Sequence, residues 1–251
     1  NVSNITITDY SNIDYSSSLN VTSTIVIDQK SFFDLSGNLN VNTINLLNGS
    51  SFICQNSAAI DYTTLNWSAI LVDNGCDFAV ISTGGNLTIP SGATLETNIA
   101  RHYDNVTVNG TLSHSENTNE EVNKLILAID ENLTVNPSGS INVNGKGYSD
   151  GYGPGTGVSG SNGAGGAAYG GEGGNGQSRA GNKVPYGEER SPDLLGSGGG
   201  HHGYAAGHGG GVIKISIGAT ATLNGVISAN GGNGGLYDNY HGNGGGSGGS
   251  I

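Results

Sequence analysis

Hydrophobic and polar residues alternate in short runs along the first half of the chain, at 5–8, 19–27, 39–47, 78–82, 87–89 and 106–108. Such period-two alternation predicts half-buried strands, and the Asn, Asp, Ser and Gly between the runs are turn residues. Three runs share one form: NLTIPSGATL from Asn86, NVTVNGTL from Asn105 and NLTVNPSGSINV from Asn132. Each reads as a strand, a Pro/Ser/Gly or Asn-Gly corner, and a second strand. An Asn-Gly corner also suits a two-residue hairpin. The starts, however, are spaced by 19 and then 27 residues, as in coils of unequal length.

The pattern also repeats at long range. Residues 211–235, GVIKISIGATATLNGVISANGGNGG, echo residues 124–147, KLILAIDENLTVNPSGSINVNGKG. Ile213, Ile215 and Ile217 align with Leu125, Leu127 and Ile129, and Thr222, Leu223 and Asn224 with Thr134, Val135 and Asn136. After a two-residue gap, Gly225, Ile227, Asn230 and Gly231 align with Gly139, Ile141, Asn144 and Gly145. The separation is 88 positions before the gap and 86 after it. Repetition at a long period signals a stacked architecture. It also decides a local ambiguity. Val122, Leu125, Ile126 and Ile129 fall at helical spacing, but the aligned run is β-branched and alternates with Lys214 and Ser216, so both are read as strand. The expected fold is all-β: a right-handed parallel β-helix or solenoid with ordered glycine-rich excursions. An antiparallel β-sandwich is the alternative, because periodicity alone does not fix strand direction.

Glycine divides the chain. Residues 1–144 hold eight of the 46 glycines and are read as Asn/Thr-rich coils; residues 145–251 hold the other 38 and are read as excursions with returning strands of the same solenoid. A disordered linker is the plain alternative for 151–211. Interspersed tyrosines and the strands that follow at once favour order, since glycine lets extended backbones approach closely. The succession INVNGKGY, GYGPG, GGAAYGGEGG, PYG, PDLLGSGGG, GGGVIKI and NGVISANGG over about 124–251 resembles the glycine-rich β-helical repeats of large extracellular surface and adhesin-like proteins. That resemblance implies a structural or adhesive role outside the cell, and that the chain is a fragment of a longer protein.

Lys+Arg 8 against Asp+Glu 20 gives a net charge of −12, which repels nucleic acid and anionic membrane as partners. No apolar run approaches the ~20 residues of a membrane span. The absence of Met and of a signal peptide is what a mature or trimmed chain would show. Cys54 and Cys76 are the only cysteines, and a disulfide between neighbouring coils in an oxidising, extracellular location is expected. Two unpaired buried thiols are the alternative.

Candidate sites are few. Asn-x-Ser/Thr acceptors for N-glycosylation occur at Asn1, Asn4, Asn20, Asn48, Asn66, Asn86, Asn105, Asn109 and Asn132. Asn-apolar-Thr-apolar is also what a strand with one polar face looks like. Tyr152, Tyr169, Tyr204, Tyr237 and Tyr240 offer ring faces for stacking on sugars. His201, His202, His208 and His241, with Asp150, Glu172, Glu188, Glu189, Asp193 and Asp238, show no metal-ligand spacing; the acidic balance admits Ca2+ as a structural cation. GxSxG at 245–249 and GxGxxG at 155–160 and 171–176 lack the strand–helix context that gives them meaning. Asp73 with Asp77 and Asp130 with Glu131 are the best carboxylate pairs, and solvated loop positions explain them equally well. No catalytic or metal-binding residue is assigned. The expected function is a non-enzymatic extracellular structural protein that self-associates into a surface layer or filament. A carbohydrate-binding adhesin comes second and a glycan-cleaving β-helix third.

Overall fold

The computed structural model describes residues 1–251 except 56–57, 161–162, 177–180, 182–183, 203–204 and 237–241. The described residues form four sheets. The first contains, in order, Val2–Ile7, Leu19–Ile27, Leu39–Leu46, Ala59–Trp67 and Asp77–Phe78. The second orders Asn12–Tyr15, Phe32–Leu35, Ser51–Cys54, Ile70–Asp73, Thr94–Thr97, Thr111–Ser113, Ser140–Asn142 and Val226–Ser228. The third is Asn86–Ile89, Asn105–Val108, Asn132–Val135 and Thr220–Leu223; the fourth is Arg101–Tyr103, Leu125–Ile129 and Ile213–Ile217. One 3₁₀ turn at Ala79–Ile81 is the only helical element among the described residues.

The registered strand pairs are parallel, which removes the antiparallel sandwich. Within a sheet each strand lies beside one that comes later in the sequence, and like residues stack: Leu19 on Leu39, Asn20 on Asn40, Val21 on Val41. Asn109-Gly110 is accordingly a corner, between a strand of the third sheet and one of the second, rather than a hairpin turn. Asn48-Gly49 is a corner between the first and second sheets. Its two residues have positive φ, as do the equivalent pairs Asp9-Tyr10 and Gln29-Lys30.

The chain forms two compact units. The first is Asn1–Ser113, Ile126–Ile141 and Ile215–Val226; the second is His114–Leu125, Asn142–Lys214 and Ile227–Ile251. The core of the first unit follows from strand alternation. One side-chain set points inward, including Ile25, Ile27, Leu35, Leu87, Val106 and Leu133, all at most 2% exposed. Phe33 stacks on Phe52 at 5.6 Å, and Phe52 meets Phe78 edge-on at 6.0 Å.

Among its described residues the second unit has no comparable side-chain core, and its glycine segments bond backbone to backbone. Gly147 N donates to Gly209 O (2.7 Å), Gly209 N to Tyr148 O (2.8 Å), and Tyr148 N to Gly196 O (3.0 Å). A second series runs from Gly207 N to Gly244 O (2.9 Å), Gly244 N to Gly200 O (2.8 Å) and Gly200 N to Gly165 O (3.0 Å). A Cβ added at Gly157, Gly199, Gly209 or Gly244 would collide with backbone atoms of a neighbouring segment. The described excursion residues are therefore a packed bundle, held by main-chain groups that few side chains keep apart. His114 anchors one edge: it is fully buried, its Nδ1 lies 2.8 Å from Ser115 O, and its Nε2 accepts from Val212 N at 3.1 Å.

Candidate functional site

A cleft of the second unit, about 430 Å³, is walled by two tyrosines, Tyr169 and Tyr186. Their rings meet edge to face at 4.8 Å, a favoured aromatic geometry. Hydrogen bonds hold both rings by the hydroxyl end. Tyr186 Oη donates to Leu195 O (2.5 Å) and lies 2.7 Å from Ser197 Oγ. Tyr169 Oη pairs with Ser250 Oγ (2.5 Å), which bonds Leu194 O (2.7 Å). Burial pushes the Tyr186 hydroxyl up to about 12, with its Ser197 bond opposing and Tyr169 adding, so it stays neutral. Gly187 closes the wall: its φ is +87°, and a Cβ there would touch the Tyr169 ring. Pro185, Pro192 and the exposed carboxylates Glu188 and Glu189 complete the lining. Fixed ring faces beside acceptor carboxylates suit a polar ligand with an apolar face.

The stacking tyrosines named from sequence do not converge. Tyr169 is in this cleft, while Tyr152, half exposed, lines none of it. Tyr204, Tyr237 and Tyr240 lie outside the described residues, as do His241 and Asp238. Sequence reasoning missed Tyr186, although its Pro-Tyr-Gly setting marked it as a fixed aromatic in a turn.

The disulfide links Cys54 to Cys76, with Cα atoms 5.7 Å apart and both residues buried. Asp73 lies beside it, within 4.8 Å by ligand atoms, and corrects the reading of this carboxylate as a solvated loop position. It is fully buried, ending its strand opposite Cys54. Arg101 grips it through Nε (2.7 Å) and Nη2 (2.6 Å), while Gly75 N (2.9 Å) and Thr97 Oγ1 (3.1 Å) also donate to it. The Arg101 guanidinium is held above its ordinary value, burial opposing and Asp73 favouring the charge. With its oxygens so occupied and the sulfurs bonded to each other, this cluster is a structural brace rather than a metal centre. Asp130 is likewise engaged, 2.8 Å from His102 Nε2, and Glu131 accepts from Asn105 Nδ2 (2.8 Å).

The sequons fall on strands and corners, where many asparagines serve as rungs. Asn105 Nδ2 donates to Asn86 Oδ1 (3.0 Å), and Asn132 Nδ2 to Asn105 Oδ1 (3.0 Å). Asn66 Nδ2 donates to Asn45 Oδ1 (2.6 Å) and Asn48 Nδ2 to Asp28 Oδ1 (2.7 Å). Asn4 and Asn109 act as acceptors, from Thr24 N (3.2 Å) and Asn136 Nδ2 (2.7 Å). Asn1, Asn20 and Asn86 are exposed, with no described partner for Nδ2. A second polar ladder, Asp34–Gln55–Asn74–Asn98, runs along the ends of four neighbouring strands of the second sheet. No protein-family model, curated protein or solved structure matches this chain.

Proposed function

We propose that this is a non-enzymatic extracellular structural protein, a right-handed parallel β-helix that self-associates into a layer or filament. In this reading residues 1–144 supply the coils, and 145–251 supply glycine-rich excursions with returning strands of the same solenoid. The observation that carries it is register: strand after strand, like residue lies on like residue, so each coil is a template for the next. The strand Thr220–Leu223 ends the third sheet with its residues exposed, Leu223 at 51% and Val226 beyond it at 59%. An unpaired edge bearing apolar side chains favours pairing with another copy. The disulfide supports an oxidising location. If the chain meets a glycosylation machinery, the exposed Asn1, Asn4, Asn20 and Asn86, whose Nδ2 atoms have no described partner, are its expected acceptors. Electron microscopy and light scattering over a concentration series test the assembly. Growth into regular particles is expected, to be stopped by Leu223→Lys; a monomer at every concentration would refute it.

A second reading, a carbohydrate-binding adhesin, is favoured by the two anchored rings of the Tyr169–Tyr186 cleft. Its carboxylates and the overall charge exclude acidic sugars, so neutral or amino sugars are expected on a glycan array. Tyr186→Ala should abolish any such signal. A signal that survives would remove the cleft from consideration.

A further inference from the structure

The third sheet presents two polar columns on its outer face. One is Asn86, Asn105, Asn132 and Thr220; the other is Thr88, Thr107, Thr134 and Thr222, paired rung to rung in one parallel register. Polar atoms in the columns are used differently. The asparagine amides bond to one another along their column. The four threonine hydroxyls bond to no described protein group, although Thr97, Thr111 and Thr83 elsewhere in the unit all do. Thr88 and Thr222 are exposed, and the two middle threonines are half-buried by their neighbours. A shallow trough of about 460 Å³ follows the columns, and its lining contains neither an aromatic ring nor a charged group. The first sheet repeats the device on a smaller scale, with Asn4 followed by Thr24, Thr43 and Thr64 in register.

We propose that the Asn86–Thr222 face binds ice. Parallel strands set the rungs ~4.8 Å apart, so hydroxyls recur at that interval on β-branched residues whose χ1 is restricted. In a tetrahedral water network built on O–H···O distances of about 2.75 Å, second-neighbour oxygens lie about 4.5 Å apart. The difference, centred on four rungs, grows to only about 0.5 Å at the outermost ones, within the spread of O–H···O distances. Water bound on the hydroxyl column is thus already spaced close to a row of the solid. Docking also removes the threonine methyls from liquid water. A crystalline polysaccharide is the less suitable occupant, since its sugar rings stack on aromatic faces and this trough has none.

The test uses the full chain produced without N-glycosylation, because a glycan on Asn86 would cover the face. Thermal hysteresis and partition into a slowly growing ice hemisphere are measured for wild type, Thr107→Tyr, Thr134→Tyr and, as an exposed control elsewhere, Glu120→Tyr. The substituted threonines point outward, so melting curves should match wild type. Ice shaping and partition in wild type and in Glu120→Tyr, both lost in the two threonine variants, are expected. A wild-type chain excluded from ice, threonine variants that partition unchanged, or retention on crystalline chitin or cellulose in place of ice would each overturn the proposal.

Discussion

The two units bury themselves in opposite ways. In the first, side chains are the filling: Phe33, Phe52, Phe78 and the aliphatic rungs occupy the interior, and hydrogen-bonded strands form its wall. In the second, the backbone is the filling, and the usual stabilising group, a side chain at the contact, is what the packing excludes. The first tolerates polar loops and uneven spacing between its strands because its core is set by alternation. The second tolerates almost no Cβ at its contacts, yet leaves its few tyrosines free to build a cleft.

Opposite substitutions should therefore break the two units. Phe52→Ala removes a ring packed between two others and is expected to destabilise by about 3–5 kcal/mol, read from thermal or urea unfolding. A change below about 1 kcal/mol would mean that the aromatic column is not the core.

Reducing the Cys54–Cys76 bond should lower stability by about 3 kcal/mol in the chain-entropy account. Hydrogen exchange locates the loss. Amides of Ser51–Cys54 and Ile70–Asp73 should exchange faster while those of 196–200 and 206–211 keep their protection. Equal acceleration in both would erase the contrast between the units.

Adding one methyl should harm the second unit. Gly209→Ala drives a Cβ into the Gly196 backbone, an overpacking expected to destabilise by about 1–3 kcal/mol. Gly171→Ala meets nothing within 4 Å and is expected to stay within about 1 kcal/mol of wild type. Equal stability of the two variants, measured by melting, would show that the glycine bundle is not close-packed.

The smallest effect expected is electrostatic. Its hydrogen bond to Asp130, with the charge of that carboxylate, raises the pKa of the exposed His102 above its ordinary value. The pair therefore stabilises the fold fully below about pH 6.5, and the contribution is lost as pH rises through the raised pKa. An NMR titration should find His102 titrating late, and Asp130→Asn should return it toward the ordinary value.

Much of this was legible in the residues. The internal echo aligned Thr134 with Thr222 and Val135 with Leu223, and these are neighbouring rungs in the structure. Beyond the gap it aligned Asn144 with Asn230, and Asn230 N indeed donates to Asn144 Oδ1 (2.6 Å). Self-similarity worked because identical rungs make identical contacts. Parallel strands were the first choice because of the long repeat and the unequal spacing, not because of alternation, which is the same in parallel and antiparallel sheets. The burial of Asp73 was not legible, because Arg101, the partner that makes it tolerable, lies 28 residues away. The left-handed corners at Asp9-Tyr10 and Gln29-Lys30 were equally hidden: neither pair contains glycine, and corners stacked on one another impose the conformation.

The long step between the rungs of Thr134 and Thr222 bears on how the chain folds. Most neighbouring rungs of the first unit are joined through 19 to 29 residues, as in the pairs Asn86–Asn105 and Thr111–Ser140. The last pair in the third sheet must be brought together across 88 (134 to 222). For a flexible connection, the extra loop-closure entropy of that step relative to a 20-residue one is only about 1.3 kcal/mol. Length is therefore a weak obstacle at equilibrium, but it raises the contact order of that one seam and makes the Thr220–Leu223 strand the natural last arrival. A chain held before that step would display Asn132–Val135 as a bare templating edge, the state most open to capture by another molecule.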